Sequence, residues 1–164
     1  MTIPPTLRDA RDDDALDLIE LIGGVFGEYV GCMLDVDGEI PELRRIASWA
    51  AEHRGEMWVA EREGRVVGCC GYSDEGDHLE LKKLYVHRRE RTSGLGSIFA
   101  SRVEAIATAR DKRYVDLWSD TRFTTAHRFY ERRGYTKGPT RELGDKSATV
   151  EFYFRKDLEA RVRA

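Results

Sequence analysis

The tightest constraint on this chain is the run Arg91-Thr92-Ser93-Gly94-Leu95-Gly96, set between a strand-like and a helix-like segment. His78 to Val86 (HLELKKLYV) reads as the strand. Leu95 to Ala109 places Leu95, Ile98, Phe99, Val103 and Ile106 at the i, i+3, i+4 spacing of a buried helix face. A turn with two glycines that opens a helix favours an anion. Glycine lets backbone approach a ligand closely, and the first helical N–H groups lack intrahelical partners and sit at the positive dipole end. Arg88, Arg89 and Arg91 add fixed positive charge. Two nucleotide patterns fail here. A P-loop needs Gly-Lys-Ser/Thr, whereas Gly96 is followed by Ser97-Ile98. A dinucleotide fingerprint needs a third glycine where Phe99 stands.

Around this turn the chain reads as one mixed domain spanning residues 1–164. Thr6 to Ala10 reads as a first strand. Asp12, Asp13 and Asp14 then favour the start of a helix through Leu16, Ile19 and Phe26, whose end Gly23-Gly24 and Gly27 should fray or kink before Glu28-Tyr29. Pro41 suits the first position of a second helix through Leu43, Ile46 and Trp49. Glu56 to Arg62 and Arg65 to Ser73 form a hairpin about Glu63-Gly64, with a bulge signalled by Gly68 and Gly71. Tyr114 to Ser119 is the strand that returns after the Leu95 helix, and a strand–helix–strand crossover of this kind is normally parallel and right-handed. Thr124 to Arg133 is helical and stops at Gly134. Tyr135-Thr136 and Glu151 to Phe154 are the last strands, separated by a turn-rich insertion from Gly138 to Lys146.

Composition excludes several classes. The net charge is −3, from 27 basic and 30 acidic residues, which argues against a nucleic-acid partner. No apolar run reaches the ~18 residues of a membrane span, so no membrane partner is expected. The polar, acidic start does not read as a signal peptide. The three cysteines include the adjacent Cys69 and Cys70, whose side chains should point to opposite faces of a strand. They read as reduced thiols of a cytoplasmic protein, with no metal site; Asp35-x-Asp37-Gly38-Glu39 lacks the spaced ligand set of a calcium loop.

A second motif decides between the owners of the anion site. Ala126, Tyr130 and Gly134 fall at i, i+4 and i+8 of one helix face, leaving room for a ligand beside the tyrosine. The string Ala126-His-Arg-Phe-Tyr130-Glu-Arg-Arg-Gly134-Tyr135 resembles the A-x-x-x-Y-x-x-x-G-[FY] segment of the GNAT superfamily of N-acyltransferases. Arg91-x-x-Gly94-x-Gly96 resembles that family's acyl-CoA pyrophosphate loop. The resemblance covers Leu7 to about Phe154 and implies an α/β (α+β) GNAT fold: a mixed, mostly antiparallel sheet of six to seven strands, about four helices and a central βαβ acyl-CoA site. It implies acetyl-CoA as the acyl donor. The backbone of Leu84, Tyr85 and Val86 would meet the pantetheine, Arg91, Thr92, Ser93, Gly94, Leu95, Gly96 and Ser97 would wrap the pyrophosphate, and Ala126 and Tyr130 would lie along the cofactor. One position departs: the family often has asparagine three residues before Ala126, and Phe123 stands there.

An ammonium acceptor must lose a proton before attacking a thioester, and the departing thiolate (pKa ~8.5 for a free thiol) benefits from a proton donor. Tyr130, protonated at neutral pH with a reference pKa of ~10, suits the general acid. Glu80, eleven residues ahead of Arg91, matches the position where some members of that family carry a catalytic glutamate and is the candidate general base, with His127, Asp116 and a water relay as alternatives. Asp120 reads as a cap for the Tyr130 helix. The expected reaction is direct acetyl transfer to a primary amine of a small molecule. A CoA-binding regulator without turnover and an acetyltransferase acting on a protein or peptide amine are the alternatives, the latter requiring an open groove. The acidic segment Glu28 to Glu39 is the expected cover over the acceptor. Homodimerisation, common in the family, stays open.

Overall fold

A computed structural model describes residues 3–160. Seven strands form one sheet: β1 (Thr6–Asp9), β2 (Glu56–Arg62), β3 (Arg65–Asp74), β4 (His78–Val86), β5 (Tyr114–Asp120), β6 (Thr136–Glu142) and β7 (Val150–Asp157), in the order β1-β2-β3-β4-β5-β7-β6. Four helices accompany them: α1 (Ala15–Phe26), α2 (Ile46–Glu52), α3 (Leu95–Ala109) and α4 (Thr124–Arg132). Every strand pairing is antiparallel except β4–β5. This is the expected mixed sheet with one parallel crossover, made through α3.

The two faces of the sheet carry separate cores. Leu18, Leu21 and Ile22 of α1 and Ile46 and Ala50 of α2 pack on Met57, Val59 and Cys69. Phe99, Val103 and Ala107 of α3, with Tyr130 of α4, pack on Trp58, Cys70, Leu79, Leu81 and Leu117. The alternation of side chains along a strand sends Cys69 and Cys70 to opposite cores, as the sequence predicts.

Three local expectations resolve in different ways. First, α1 ends at Phe26 with Gly27 as its C-cap, stopping before Glu28-Tyr29 as its glycines suggest. Second, the segment read as a turn-rich insertion is half strand: β6 continues to Glu142 with a register irregularity between Lys137 and Thr140. Pairing with β7 supplies what propensity does not. Third, Asp120 does not cap α4. Its Oδ1 accepts from the Arg122 backbone N–H at 2.9 Å, and Phe123 stands at the N-cap without a side-chain cap bond.

The features that position the site lie in β3 and β4. β3 bulges against β2 at Val66–Gly68, beside the glycine that signalled it. Gly68 is required by close approach: a Cβ there would sit 2.9 Å from Leu95 Cδ2 and 3.2 Å from Phe99 Cε2. Glycine at this point lets the first turns of α3 lie against the sheet. Between Cys69 and Gly71 the partner positions step from Tyr85 to Lys82, so β4 carries one extra residue. Leu79 and Leu81 pack on the α3 side before this bulge, and Leu84 and Val86 do so after it, with Tyr85 on the α1 side. The bulge therefore shifts the alternation by one. Lys83, within it, adopts φ +53°. A left-handed non-glycine residue is costly and persists only where its surroundings hold it. Here the Cys69 thiol donates to the Lys83 carbonyl at 3.1 Å, and the Lys83 ammonium pairs with Glu42 at 2.7 Å.

Gly68→Ala should lose about 1–3 kcal/mol of stability through overpacking against Leu95 and Phe99. Denaturant unfolding checks this, and an unchanged midpoint would show that α3 can retreat without cost.

Candidate active site

β4 and β5 pair only over His78–Tyr114, Leu79–Val115 and Glu80–Asp116. Beyond Glu80 the strands part. β4 stays with β3 and β5 stays with β7, whose pairing runs along the whole of β5. The gap opens a cleft of about 640 Å³. Its walls are β4 from Glu80 to Val86, the N-terminal turn of α3, the end of β5, and the face of α4 carrying Ala126, Phe129 and Tyr130.

At the α3 end, Gly94 is left-handed (φ +84°) and is the N-cap, without a side-chain cap bond. The first helical hydrogen bond runs from the Ile98 N–H to the Gly94 carbonyl, so the N–H groups of Leu95, Gly96 and Ser97 have no intrahelical acceptor. Nothing lies within 4 Å of where a Gly94 Cβ would project, so backbone is approachable there. An uncapped helix start beside an open surface fits an anionic pyrophosphate. Arg91, Thr92, Gly94, Gly96 and Ser97 line the cleft. Ser93 and Leu95 do not. The Ser93 hydroxyl donates to the Glu90 carbonyl at 2.6 Å, tightening the turn, and the Leu95 side chain is buried against β3. Arg91 is already engaged: its guanidinium bonds both carboxylate oxygens of Glu28 at 2.7 and 2.6 Å, and its Nε donates to the Val86 carbonyl at 3.1 Å.

Tyr130 and Glu80 reach the same cleft from different sides of the sheet. Tyr130 is 5% exposed, belongs to the α3-side core, and burial pushes its phenol well above the ordinary value. Among the described residues its hydroxyl meets no protein hydrogen-bond partner. Glu80, on the opposite phase of β4, pairs with Lys82 at 2.7 Å. The competing candidates are placed differently. His127 is a buried strut whose Nε2 lies 2.9 Å from the Asp120 carbonyl and 3.2 Å from Ser119 Oγ, and burial lowers its pKa, so it stays neutral. Asp116, beside Glu80 in register, is 7% exposed and accepts from the Tyr153 hydroxyl at 2.9 Å, while its Oδ1 has no partner. Burial raises its pKa, and the neighbouring Glu80 charge acts in the same direction. The thiols are inert packing groups: burial pushes Cys69 up to about 12 and Cys70 well above its ordinary value.

Several contributors carry no local signal in the sequence. Phe123, where the family often has asparagine, packs on Tyr29 and Phe26 at ring centroid distances of 4.9 and 5.8 Å, and Phe26 meets Tyr85 at 6.0 Å. These rings wall the cleft and fix the end of α1 to β4 and α4. The segment 28–40 is roofed onto the β6–β7 loop. The Met33 N–H donates to Ser147 Oγ at 2.9 Å, the Lys146 N–H to Glu39 at 2.8 Å, and the Lys146 ammonium pairs with Asp35 at 3.0 Å. Asp37 is held by Arg44 at 2.8 Å. Trp118 lines the cleft with the Arg141 guanidinium 4.1 Å over its ring, whereas Trp58 is core. The bulge did leave a trace, since apolar residues at 79, 81, 84 and 86 break strict alternation once.

The profile of the Acetyltransferase (GNAT) family matches residues 24–135. An uncharacterized N-acetyltransferase of Chlorobaculum tepidum is 28% identical over 130 residues, covering 79% of this chain and 74% of that protein. Among solved structures, a GNAT-family acetyltransferase of Staphylococcus aureus superposes with a TM-score of 0.78 at 19% identity, covering 94% of this chain and 99% of the other. The PaiA N-acetyltransferase of Thermoplasma acidophilum, in complex with coenzyme A, gives 0.73 at 14% identity, covering 95% and 100%. The chain belongs to the GNAT acetyltransferase family and is an N-acetyltransferase. Among the described residues no helix is long and apolar enough to cross a membrane.

Asp116→Asn should stabilise the fold at neutral and alkaline pH. A carboxyl whose native pKa is raised binds more protons folded than unfolded, so its charge costs stability as pH rises. The gain over wild type should be absent below the ordinary carboxylate range (~4), grow as pH climbs through the raised native value, and hold constant above it. Thermal melts across pH 3–8 (roughly the span over which the carboxyl changes charge) check this. A gain that is flat or inverted with pH would mean that Asp116 is ionised at no cost.

Proposed function

We propose that this chain transfers the acetyl group of acetyl-CoA directly to a primary amine of a small molecule. The observation that carries the reading is the meeting of Glu80 and Tyr130 in one cleft where β4 leaves β5. Acetyl-CoA, when bound, supplies an activated thioester; the residues supply placement and proton control. The exposed edge of Leu84, Tyr85 and Val86 offers backbone groups to an extended arm. The free N–H groups opening α3, with Thr92 and Gly94 beside them, receive the pyrophosphate, and Ala126 leaves the space in which the arm passes Tyr130. Ser93 and Leu95 serve that loop by holding its turn and anchoring it to β3.

Glu80 acts as the base, taking the proton of the acceptor ammonium through its carboxylate. Its pairing with Lys82 orients that carboxylate. Tyr130, held protonated by burial, donates its hydroxyl proton toward the leaving sulfur. The roof of segment 28–40 on the β6–β7 loop supports a small acceptor over a protein one, because a polypeptide would need the groove that Met33–Ser147 and Glu39–Lys146 bridge.

Thiol release from acetyl-CoA across a panel of polyamines, aminoglycosides, amino acids and peptides tests the activity. Turnover with small amines alone is expected, and turnover only with peptides would reject the small-molecule acceptor. Tyr130→Phe should lower kcat by about 10²-fold, the scale of one positioned proton donor, with CoA affinity nearly intact. A large loss of affinity would instead make Tyr130 a binding residue. Glu80→Gln should lower kcat/KM for the amine at neutral pH and recover as pH approaches the acceptor's own pKa. Failure to recover would remove Glu80 from the role of base.

A further inference from the structure

The bidentate contact between Arg91 and Glu28 has a consequence for cofactor capture. Arg91 is the first residue of the pyrophosphate turn, and both of its terminal nitrogens are occupied by one carboxylate at 2.7 and 2.6 Å. The two side chains are 33% and 31% exposed, so the pair lies at the lip of the cleft, where a ligand can reach it. Among the described residues Arg91 faces no other carboxylate at salt-bridge distance, and its Nε is fixed to the Val86 carbonyl at 3.1 Å, which aims the guanidinium at a single anion position. A planar guanidinium binds a carboxylate and a phosphate through the same pair of parallel N–H bonds. It cannot hold both at once through that edge.

We propose that Glu28 is a built-in competitor for the cofactor, occupying through Arg91 the edge that the pyrophosphate takes on binding, so that Glu28 sets the affinity for CoA. This rests on the assignment of the cleft as the acyl-CoA site. Arrival of the diphosphate exchanges one oxyanion for another on Arg91, with no bond made or broken covalently. The diphosphate prevails because the uncapped start of α3 adds N–H donors that Glu28 does not use. Glu28 returns to solvent, where a lone carboxylate is well hydrated. The competition holds apparent affinity below what the loop alone would give.

The test is calorimetric titration of CoA and of S-acetylpantetheine, which lacks the pyrophosphate, into wild type, Glu28→Gln and Glu28→Ala. Both variants should bind CoA roughly three- to tenfold more tightly than wild type, the range for releasing one well-formed, partly exposed bidentate pair. S-Acetylpantetheine should bind all three proteins alike. In Arg91→Gln, CoA should bind more weakly than in wild type, and adding Glu28→Gln to it should bring no further gain. Equal CoA affinity in wild type and both Glu28 variants overturns the competition, as does a gain that appears equally with S-acetylpantetheine or survives in the Arg91→Gln background. If CoA binds none of the proteins, the assignment of the cleft itself falls, and the competition with it.

Discussion

The parting of β4 from β5 after the Glu80–Asp116 pair is the constraint on which the rest of the structure depends. A parallel ladder only three residue pairs long leaves the remainder of one edge of β4 without a strand partner. Backbone N–H and C=O groups in a folded interior demand partners, so an open edge facing a cleft is a place for water or for an extended ligand. Keeping the edge open takes structure on both sides. β7 holds β5 along its length, and the bulge at Lys83, locked by Cys69 and Glu42, turns the end of β4 toward α3. The aromatic group of Phe26, Tyr29, Tyr85 and Phe123 fills the space on the α1 side that would otherwise let the strands close.

Charge in the cleft is organised by pairing. Lys82, Lys83, Arg91 and Arg141 each meet a carboxylate, respectively Glu80, Glu42, Glu28 and Glu151. A cleft lined in this way carries little net field and orients its groups by geometry. One buried group stands apart: the Asp116 carboxyl is buried with one oxygen unpartnered. Groups held at such a cost are usual where proton transfer is arranged. Asp116 does not line the cleft but is paired in register with Glu80, which does.

Much of the fold was legible because its determinants are local. The hairpin about Glu63-Gly64, the apolar stripe of α3 and the glycine turn ahead of it are spacings within ten or fifteen residues. Two such motifs in the right order identified the family. What failed to read locally failed for one reason: the deciding partner is distant in sequence. β6 extends because β7 pairs with it. Phe123, where the family often has asparagine, finds its place against Tyr29, nearly a hundred residues away in the chain.

Of the site, the sequence by itself determined the residue types and their order along the chain. These are an anion-binding turn opening a helix, a tyrosine one strand and one helix later, and a glutamate on the strand before. Helix and strand periodicity carry that information because they are backbone properties repeated every few residues. Only the tertiary structure decided which of these groups face one another. It placed Glu80 and Tyr130 along the same cleft, left Ser93 and Leu95 out of its lining, and set Glu28 on Arg91 across 63 positions of sequence. Such contacts depend on how two sheet faces and a bulge superimpose distant segments, and no spacing along the chain encodes them.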